Sequence, residues 1–514
     1  MNTATQGQRA PLHGGALALF TIAVSLATFM EVLDTSIANV AIPTIAGNLA
    51  VSANQGTWVI SSYGLAAAIM VPLTGWIAKR FGEVRVFCTS VVLFTIASAM
   101  CGMATSLPML VFCRFLQGLV SGPMVPLSQA LLLANYPPEK RGMAMAIWAM
   151  TVVVAPICGP LLGGYITDNS SWPWIFYINA PVGLLSGFIT WTLLRHRETA
   201  TEKKPIDAIG LGLLVIGVGA LQLMLDNGED LDWFNSNIIV TLCCTSIIAL
   251  TFFVAWELTD EHPIVDLTLF VKPNFRFGVI AMAVGYMSFF AMTVLFPLWL
   301  QTVMGYTATW AGVATSPVGI LALILSPIIG RNINRLDLRV LASIAYVVFA
   351  ITAFWFSTFT LDTSLSEVWL PRLVQGIAVA CFFVPINQII MSGIQPQRLA
   401  AASGLSNFFR TISGSLGTAI VVTLWDRRTQ THEVRLAESF TSSSGSTLDY
   451  LNRLGNLGIT GDRGNAYVQN QIHAQGAMMA TSDVFWGIAI LFLCLIGFIW
   501  LTRPPFGSAG PVGH

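Results

Sequence analysis

The chain has 514 residues, of which 55% are hydrophobic and only 10% are charged, and its mean hydropathy is +0.72. Soluble proteins carry roughly a quarter of their residues as charged side chains, so this composition excludes a soluble protein and predicts a polytopic membrane protein. The formal net charge is zero and neither tail is basic or acidic, which gives no support to nucleic-acid binding.

Membrane-spanning helices need about 20 consecutive apolar residues, and the sequence contains fourteen such runs. We place them at 16–38, 55–77, 85–105, 108–133, 143–166, 174–194, 207–226, 237–257, 277–301, 309–330, 339–360, 368–393, 401–425 and 484–502. The first run follows a short polar lead without a small-residue cleavage site, so we expect no cleaved signal peptide. An even number of spans predicts that both termini lie on one side.

The Lys and Arg residues in the connections predict which side that is. Seventeen of the 25 lie in connections on the side of the N-terminus, and the six short loops on the other side have none. Five more lie in the long outer segment 426–483, and three lie within spans. Because cytoplasmic loops are enriched in Lys and Arg, both termini are expected to be cytoplasmic.

The first span carries two carboxylates, Glu31 and Asp34, in the stretch 27–43, and we interpret them as the only acids deep inside any span. A charge at this depth costs a few kcal/mol or more, so such residues usually face a protein-lined cavity and serve ions, protons or substrates. We therefore interpret this helix as the coupling element of a transporter. A structural ion pair with an arginine elsewhere is the alternative.

Arg114 in the fourth span is the expected partner. The first helix runs outward and the fourth inward, so Asp34 and Arg114 lie roughly 6 and 9 Å below their outer ends at 1.5 Å per residue. The two side chains can therefore meet. Glu31 lies one turn deeper on the same face, and we interpret it as a second titratable group or a cation contact.

Other chemistry finds no support in the sequence. The eight cysteines fall within apolar runs and the six histidines lie outside the spans, which excludes a histidine proton relay in the membrane. There is no phosphate-binding loop, metal-ligand cluster or nucleophile triad. We expect a protein that is not an enzyme and that has no cofactor, with the proton as coupling ion.

Three short segments repeat along the chain. GTWVI at Gly56 returns as ATWAG at Ala308, PLTGWIAKRFGEVR at 72 returns as PIIGRNINRLDLR at 327, and RFLQG at Arg114 returns as RLVQG at Arg372. A nearly constant offset predicts two homologous halves with the same orientation. We expect an all-α protein with a six-helix bundle at 1–200, an inserted two-helix hairpin at 201–270, and a second six-helix bundle at 271–514, which includes the outer segment 426–483.

The connection after the second span resembles the signature loop of the major facilitator superfamily. The residues that match this gating loop are Gly75, Lys79, Arg80, Gly82, Glu83 and Arg85. Lys79 replaces the usual aspartate, and Glu83 is the candidate to take over its role in latching the bundles. The alternative is a turn that carries positive charge and nothing more.

Two further motifs resemble the fourteen-span drug:proton antiporters of that superfamily, the EmrB/QacA branch. The first helix reads LDTSIANVAIP from Leu33, and the fifth reads APICGPLLGG from Ala155. The second stretch resembles the antiporter motif, whose residues here are Pro156, Gly159, Pro160, Gly163 and Gly164. A generic kinked helix with close glycine packing is the alternative.

The resemblance implies proton-coupled efflux of lipophilic drugs by alternating access across a bacterial inner membrane. It also implies a periplasmic adaptor (membrane fusion) protein and an outer-membrane channel as partners, with 426–483 as a candidate docking surface. Cavity-lining candidates are Trp58, Tyr63, Phe115, Trp148, Met150, Arg372 and Arg410. Arg410 either holds anionic substrates or bonds to backbone and water, and Arg372 is either a cavity residue or a structural donor. A nutrient symporter or uniporter and a non-transporting membrane protein are the alternatives.

Overall fold

A computed structural model describes residues 12–51, 53–202, 207–261, 263–440 and 461–506, with four isolated positions between 441 and 460. Within these residues the regular structure is helical, and we number the long helices α1 to α14. They are α1 Gly14–Asn48, α2 Trp58–Phe81, α3 Glu83–Gly102, α4 Leu107–Ser121 and Met124–Asn135, α5 Arg141–Asn169, α6 Asn179–Leu194, α7 Ala208–Asn227, α8 Asn237–Thr259, α9 Pro273–Thr302, α10 Ala308–Thr315 and Pro317–Asn332, α11 Leu338–Ser357, α12 Leu365–Met391, α13 Leu399–Ser439 and α14 Gly461–Ile499.

Two of these helices are interrupted where the sequence dictates it. Gly122 and Pro123 divide α4, and Ser316 and Pro317 divide α10. Proline lacks the N–H that continues a helical hydrogen-bond ladder. Of the described helices, thirteen segments are long and apolar enough to cross a bilayer, and α5 has a shorter apolar stretch, Arg141–Pro156. Phenylalanines such as Phe188 and Phe252 lie exposed on the outside, as expected for a surface that meets lipid.

The predicted arrangement of two bundles and a hairpin is confirmed. In the first bundle α1 packs on α5 and α6, and α2 on α4; in the second α11 packs on α12 and α14, and α9 on α13. The inserted helix α7 packs on α8 and also leans on α2 and α13, one helix from each bundle. The bundles meet through α2 with α13 and α5 with α10.

The sequence repeat has a geometric counterpart. Arg114 Nη1 donates to Gln117 Oε1 at 2.8 Å, and Arg372 Nη1 donates to Gln375 Oε1 at 2.7 Å. A Cβ atom on Gly118 or on its repeat mate Gly376 would lie 2.4 Å from a backbone carbonyl of the neighbouring helix in both halves. Only glycine permits this approach, which explains why both RxxQG segments end with it.

The bundles are closed at the end where α1 begins and α14 ends, which we call the terminal face. There a Cβ atom on Gly75 of α2 would lie 2.6 Å from Ala401 Cα of α13. A buried hydrogen-bond chain joins the bundles on the same side: Gln129 Nε2 donates to Asn387 Oδ1 at 3.1 Å, and Asn407 Nδ2 donates to Gln129 Oε1 at 3.1 Å. The described structure is therefore closed at the terminal face.

The outer segment 426–483 differs from the sequence-based expectation. We expected helices that end at 425 and begin at 484, but α13 continues to Ser439 and α14 begins at Gly461. At 1.5 Å per residue, the 41 residues of α13 extend about 60 Å, twice the hydrocarbon thickness of about 30 Å. Hydropathy missed these extensions because they are polar. Their contacts include Trp425 Nε1 to Thr481 Oγ1 at 2.9 Å and His432 to Asp483 at 2.9 Å.

Candidate functional site

The structure brings Asp34 of α1 and Arg114 of α4 together inside the first bundle. Arg114 Nη1 lies 2.5 Å from Asp34 Oδ2, and both side chains are buried. Breaking such a pair on one side costs about 3–5 kcal/mol, because an unpaired charge is left in a low-dielectric interior. A large part of the electrostatic energy of this bundle is therefore concentrated at one contact.

Neutral polar side chains complete the coordination of Asp34. Its Oδ1 accepts from Asn179 Nδ2 at 2.6 Å and from Gln117 Nε2 at 3.2 Å. Asn179 also donates to Ser98 Oγ at 2.9 Å. Sequence reasoning missed these three residues as site members, although Gln117 lies in the RFLQG repeat and Asn179 lies in the WPWIFYINAP stretch. The network contains side chains from four helices, so its hydrogen bonds depend on how these helices are placed relative to one another.

Arg114 is enclosed by aromatic rings as well as by oxygen acceptors. Its guanidinium carbon lies 4.4 Å from the ring centre of Tyr63 and 5.6 Å from that of Phe176. Nε donates to Val59 O at 3.0 Å, while Nη2 is buried without a hydrogen-bond partner among the described residues. Cation–π contacts of this kind stabilise a desolvated arginine. These rings therefore hold the guanidinium in addition to its carboxylate partner.

A second pair of charges faces across the boundary between the bundles. Glu31 of α1 is 8% exposed and its charge interacts with that of Arg410 on α13. Arg410 lies over two rings, with its guanidinium carbon 5.5 Å from the centre of Trp148 and 5.7 Å from that of Tyr286. Glu31 Oε2 is buried without a hydrogen-bond partner in the described structure.

The glycine-rich motif of α5 packs directly on the coupling helix. Ser36 Oγ donates to Pro156 O at 3.1 Å, and a Cβ atom on Gly159 would lie 2.1 Å from Ser36 Oγ. Gly163 faces Ile37, whereas Gly164 has open space around it. The side chain of Pro160 lies outside the described part of the structure. The motif therefore lets α5 touch α1 two residues from Asp34.

The gating loop between α2 and α3 is organised by a residue that sequence reasoning missed. Glu198, which follows α6, accepts from Val84 N at 3.0 Å and from Arg85 N at 2.9 Å. A carboxylate at a helix N-terminus satisfies free N–H groups and the helix dipole. Glu198 is thus a second acid of this loop, beside Glu83, whose side chain is buried. A Cβ atom on Gly82, whose φ is 95°, would collide with the Glu198 carboxylate.

The other basic residues of this loop are peripheral. Arg80 lies over the ring of Trp76 at 5.5 Å, and Arg85 approaches Glu198 at 3.9 Å with a largely exposed side chain. The backbone carbonyl oxygen of Lys79 accepts a hydrogen bond from Glu202 N at 2.9 Å. The segment after α6 thus folds back on the gating loop at the terminal face.

The cavity candidates do not all lie in one part of the structure. Trp148 and Arg410 lie at the bundle boundary, and Tyr63 carries Arg114 on its ring. Arg372 instead lies inside the second bundle, 4.0 Å from the ring centre of Phe296. The remaining three are partly exposed and contact neither charge pair through a described hydrogen bond: Trp58, Phe115 and Met150.

The hydrogen-bond chain at the terminal face predicts the effect of Gln129→Leu. This change removes two buried hydrogen bonds of about 1 kcal/mol each, so the closed population should fall by roughly 30-fold relative to the open one. Distances between spin labels on the terminal-face ends of α2 and α13 measure it. Gln301→Leu, at an exposed site of α9, is the control. An unchanged distance distribution in Gln129→Leu would contradict the prediction.

Comparison with known proteins agrees with this geometry. The sequence profile of the Major Facilitator Superfamily matches residues 24–418. Multidrug export protein EmrB of Escherichia coli (strain K12) is 51% identical over 98% of this chain and 99% of its own length. Fatty acid resistance protein FarB of Neisseria gonorrhoeae is 48% identical over 98% of this chain and 99% of its own.

A solved structure shares the fold at low sequence identity. The proton:xylose symporter XylE superimposes with a TM-score of 0.58 at 16% identity, covering 94% of this chain and 95% of its own. The family match, the two EmrB-like relatives and the shared fold identify a multi-pass membrane transporter rather than an enzyme. The chain belongs to the major facilitator superfamily.

Proposed function

We propose that this transporter exports lipophilic drugs and toxic compounds in exchange for protons, by alternating access. The observation that carries the proposal is the buried Asp34–Arg114 contact at 2.5 Å on α1, one helical turn from Glu31 at the bundle boundary. Carboxylates buried in a membrane are expensive, and their usual use is to carry protons or ions.

Protonation of Asp34 would remove the charge that holds Arg114 Nη1. The guanidinium would keep its hydrogen bonds to Val59 and Gln117 and its contact with the Tyr63 ring, so the discharge loosens α1 from α4 without expelling the arginine. Protonation of Glu31 would in turn cancel its attraction to Arg410 across the bundle boundary. Both interactions involve α1 and depend on protonation. Protonation would therefore shift the equilibrium between the two arrangements of the bundles.

The substrate site that we propose lies at the same boundary. Trp148 and Tyr286 flank Arg410, and Phe290 stacks on Tyr286 with ring centres 5.6 Å apart. Aromatic walls accept varied lipophilic molecules because they contribute area rather than specific hydrogen bonds. The names of two relatives, multidrug export protein EmrB and fatty acid resistance protein FarB, support this substrate class.

The energy of one proton is sufficient for such export. A proton that moves down about 150 mV supplies roughly 3.5 kcal/mol, which sustains a gradient of a few hundred-fold for a neutral substrate exchanged one for one. The proton is the coupling ion, and no other cofactor is proposed.

The proposed location is the bacterial inner membrane with both termini in the cytoplasm. This orientation rests on the Lys and Arg residues of the connections. In this orientation the terminal face is cytoplasmic, and the described arrangement is closed toward the cytoplasm. It is the arrangement that receives protons and releases substrate on the outer side.

The partners that we propose are a periplasmic adaptor and an outer-membrane channel. The outer extensions of α13 and α14 are the proposed docking surface. A groove of about 750 Å³ lies between α13 and the α7–α8 connection, and its lining includes Arg427, Val434 and Asp232. Photo-crosslinking from Val434 to a co-expressed adaptor tests this contact, and its failure would remove the groove from the docking surface.

The function is tested with purified protein in vesicles that hold an imposed pH gradient. Addition of a lipophilic substrate should release protons in proportion to substrate moved, and collapse of the gradient should abolish uphill transport. Proton movement in the same direction as substrate would indicate a symporter. Transport without a response to the gradient would indicate a uniporter, and no transport of any tested compound would contradict the proposal.

A further inference from the structure

A polar cluster lies at the outer end of the inserted hairpin. It includes neither Asp34 and Arg114 nor Glu31 and Arg410. Gln222 and Asp226 lie one turn apart on α7, where it leans on both bundles. Asp226 lies at the predicted end of this span, and its side chain is half-buried. Gln222 is 4% exposed. An acid in this position needs a partner.

The cluster connects the hairpin to both bundles. Gln222 Nε2 donates to Asp226 Oδ1 at 2.9 Å and to Ser415 Oγ of α13 at 3.2 Å. Ser61 of α2 lies beside the Asp226 carboxylate. A Cβ atom on Gly64 of α2 would lie 3.9 Å from Gln222 Nε2. One turn of α7 therefore spans the boundary between α2 and α13.

Two buried oxygens in this cluster have no donor. Asp226 Oδ2 and Gln222 Oε1 lack a hydrogen-bond partner among the described residues. They belong to the same carboxylate and amide that already share the Nε2–Oδ1 hydrogen bond. A buried acceptor without a donor costs about 1–3 kcal/mol. A carboxylic acid and an amide can form two parallel hydrogen bonds, N–H to O and O–H to O, and the first of these is present here.

We propose that Asp226 is a proton-binding group on the inserted hairpin and shares its proton with the amide of Gln222. A proton taken up by the carboxylate would reside on Oδ2 and would be donated to Gln222 Oε1, so that both unpartnered acceptors are satisfied. The site lies near the outer end of α7, where protons arrive in the proposed orientation. Its role in transport rests on the proposed function, but proton binding can be measured without transport.

The charged groups on the neighbouring elements lie elsewhere. On α8 the carboxylate is Glu257, which accepts from Val265 N toward the terminal face, and the other titratable groups are the thiols Cys243 and Cys244. Within the spanning part of α2 and α13 the charged and titratable groups are Tyr63, Lys79, Arg80 and Arg410. Beyond Thr423, α13 also carries Asp426, Arg427, Arg428, His432, Glu433, Arg435 and Glu438. Beyond α7 itself, Glu229 accepts from Thr423 Oγ1 at 2.5 Å. Asp226 thus accepts its hydrogen bond from a neutral amide, Gln222, and the neutral hydroxyl of Ser61 lies beside it.

The test is infrared difference spectroscopy of the purified protein in lipid during titration from mildly alkaline to mildly acidic pH. A protonated carboxylic acid has a carbonyl band that a carboxylate lacks. We expect the wild type to gain a band that Asp226→Asn loses and that the control Asp230→Asn, at an exposed site in the next loop, retains. Identical band growth in wild type and Asp226→Asn would overturn the proposal.

A second variant keeps the test valid if Asp226→Asn does not fold. Gln222→Met preserves volume but removes the amide, so the titration midpoint of the Asp226 band should shift if the two groups share a proton. An unchanged midpoint would overturn the shared site. Because the bands are measured without substrate, loss of the Asp226 band is independent of whether the vesicle assay shows antiport. Wild-type antiport together with an unaltered Asp226→Asn spectrum would retain the proposed function and reject this site.

Discussion

Asp34→Asn is expected to abolish substrate-induced proton release from vesicles while leaving the protein in the membrane. The asparagine keeps an acceptor for Arg114 but cannot take up a proton, so the charge of Arg114 stays uncompensated in both arrangements of the bundles. The free energy of unfolding should fall by about 3 kcal/mol, the lower end of the cost of breaking a buried pair. Proton release measured with a pH-sensitive dye, and thermal unfolding of the purified variant, check the two effects.

The matched control is Asp362→Asn, which changes an exposed carboxylate in the connection between α11 and α12. It should keep wild-type proton release and wild-type stability. Equal release in wild type and Asp34→Asn would contradict the assignment of Asp34 and would move the proton site, with Glu31 as the next residue to test by Glu31→Gln. If Glu31→Gln left transport and its pH dependence unchanged, Glu31 would lose its role as well.

Gly159→Ala is expected to reduce transport by at least tenfold. The added Cβ atom would lie 2.1 Å from Ser36 Oγ and 2.4 Å from Ser36 Cβ, so α5 must move away from α1. Overpacking of a close helix contact costs about 1–3 kcal/mol, and the displacement occurs two residues from Asp34. Initial rates of substrate transport in vesicles measure the loss.

Gly164→Ala is the control within the same motif. Its Cβ atom would meet nothing within 4 Å, and alanine favours a helix over glycine by about 1 kcal/mol. The variant should transport at the wild-type rate. If both substitutions reduced transport equally, the motif would act through helix flexibility rather than through contact with α1.

Much of this architecture was predictable because it depends on local patterns. The fourteen apolar runs follow from the length that a bilayer requires, and the two bundles follow from the repeat offset. The contact between Asp34 and Arg114 could be predicted from depth alone, since antiparallel helices of known direction fix the height of each side chain. These arguments need no knowledge of how the bundles face each other.

The residues that escaped prediction depend on long-range geometry. The electrostatic interaction of Glu31 with Arg410 crosses the bundle boundary. It depends on an arrangement of the bundles that no sequence pattern specifies. Asn179 and Ser98 are neutral polar residues of a kind common in helices, so nothing distinguishes them before their positions are known. Glu198 lies in a polar connection that folds back on α3. Hydrophobic periodicity in the sequence does not show the path of such a connection.

The unbroken length of α13 gives the protein a mechanical property. The helix runs from Ala401, in contact with Gly75 at the terminal face, past Arg410 and out to Ser439. A rigid rod about 60 Å long converts a tilt of about 10° at one end into a displacement of roughly 10 Å at the other. A protein bound to the far tip would therefore be displaced by several ångströms whenever α13 tilts at the terminal face.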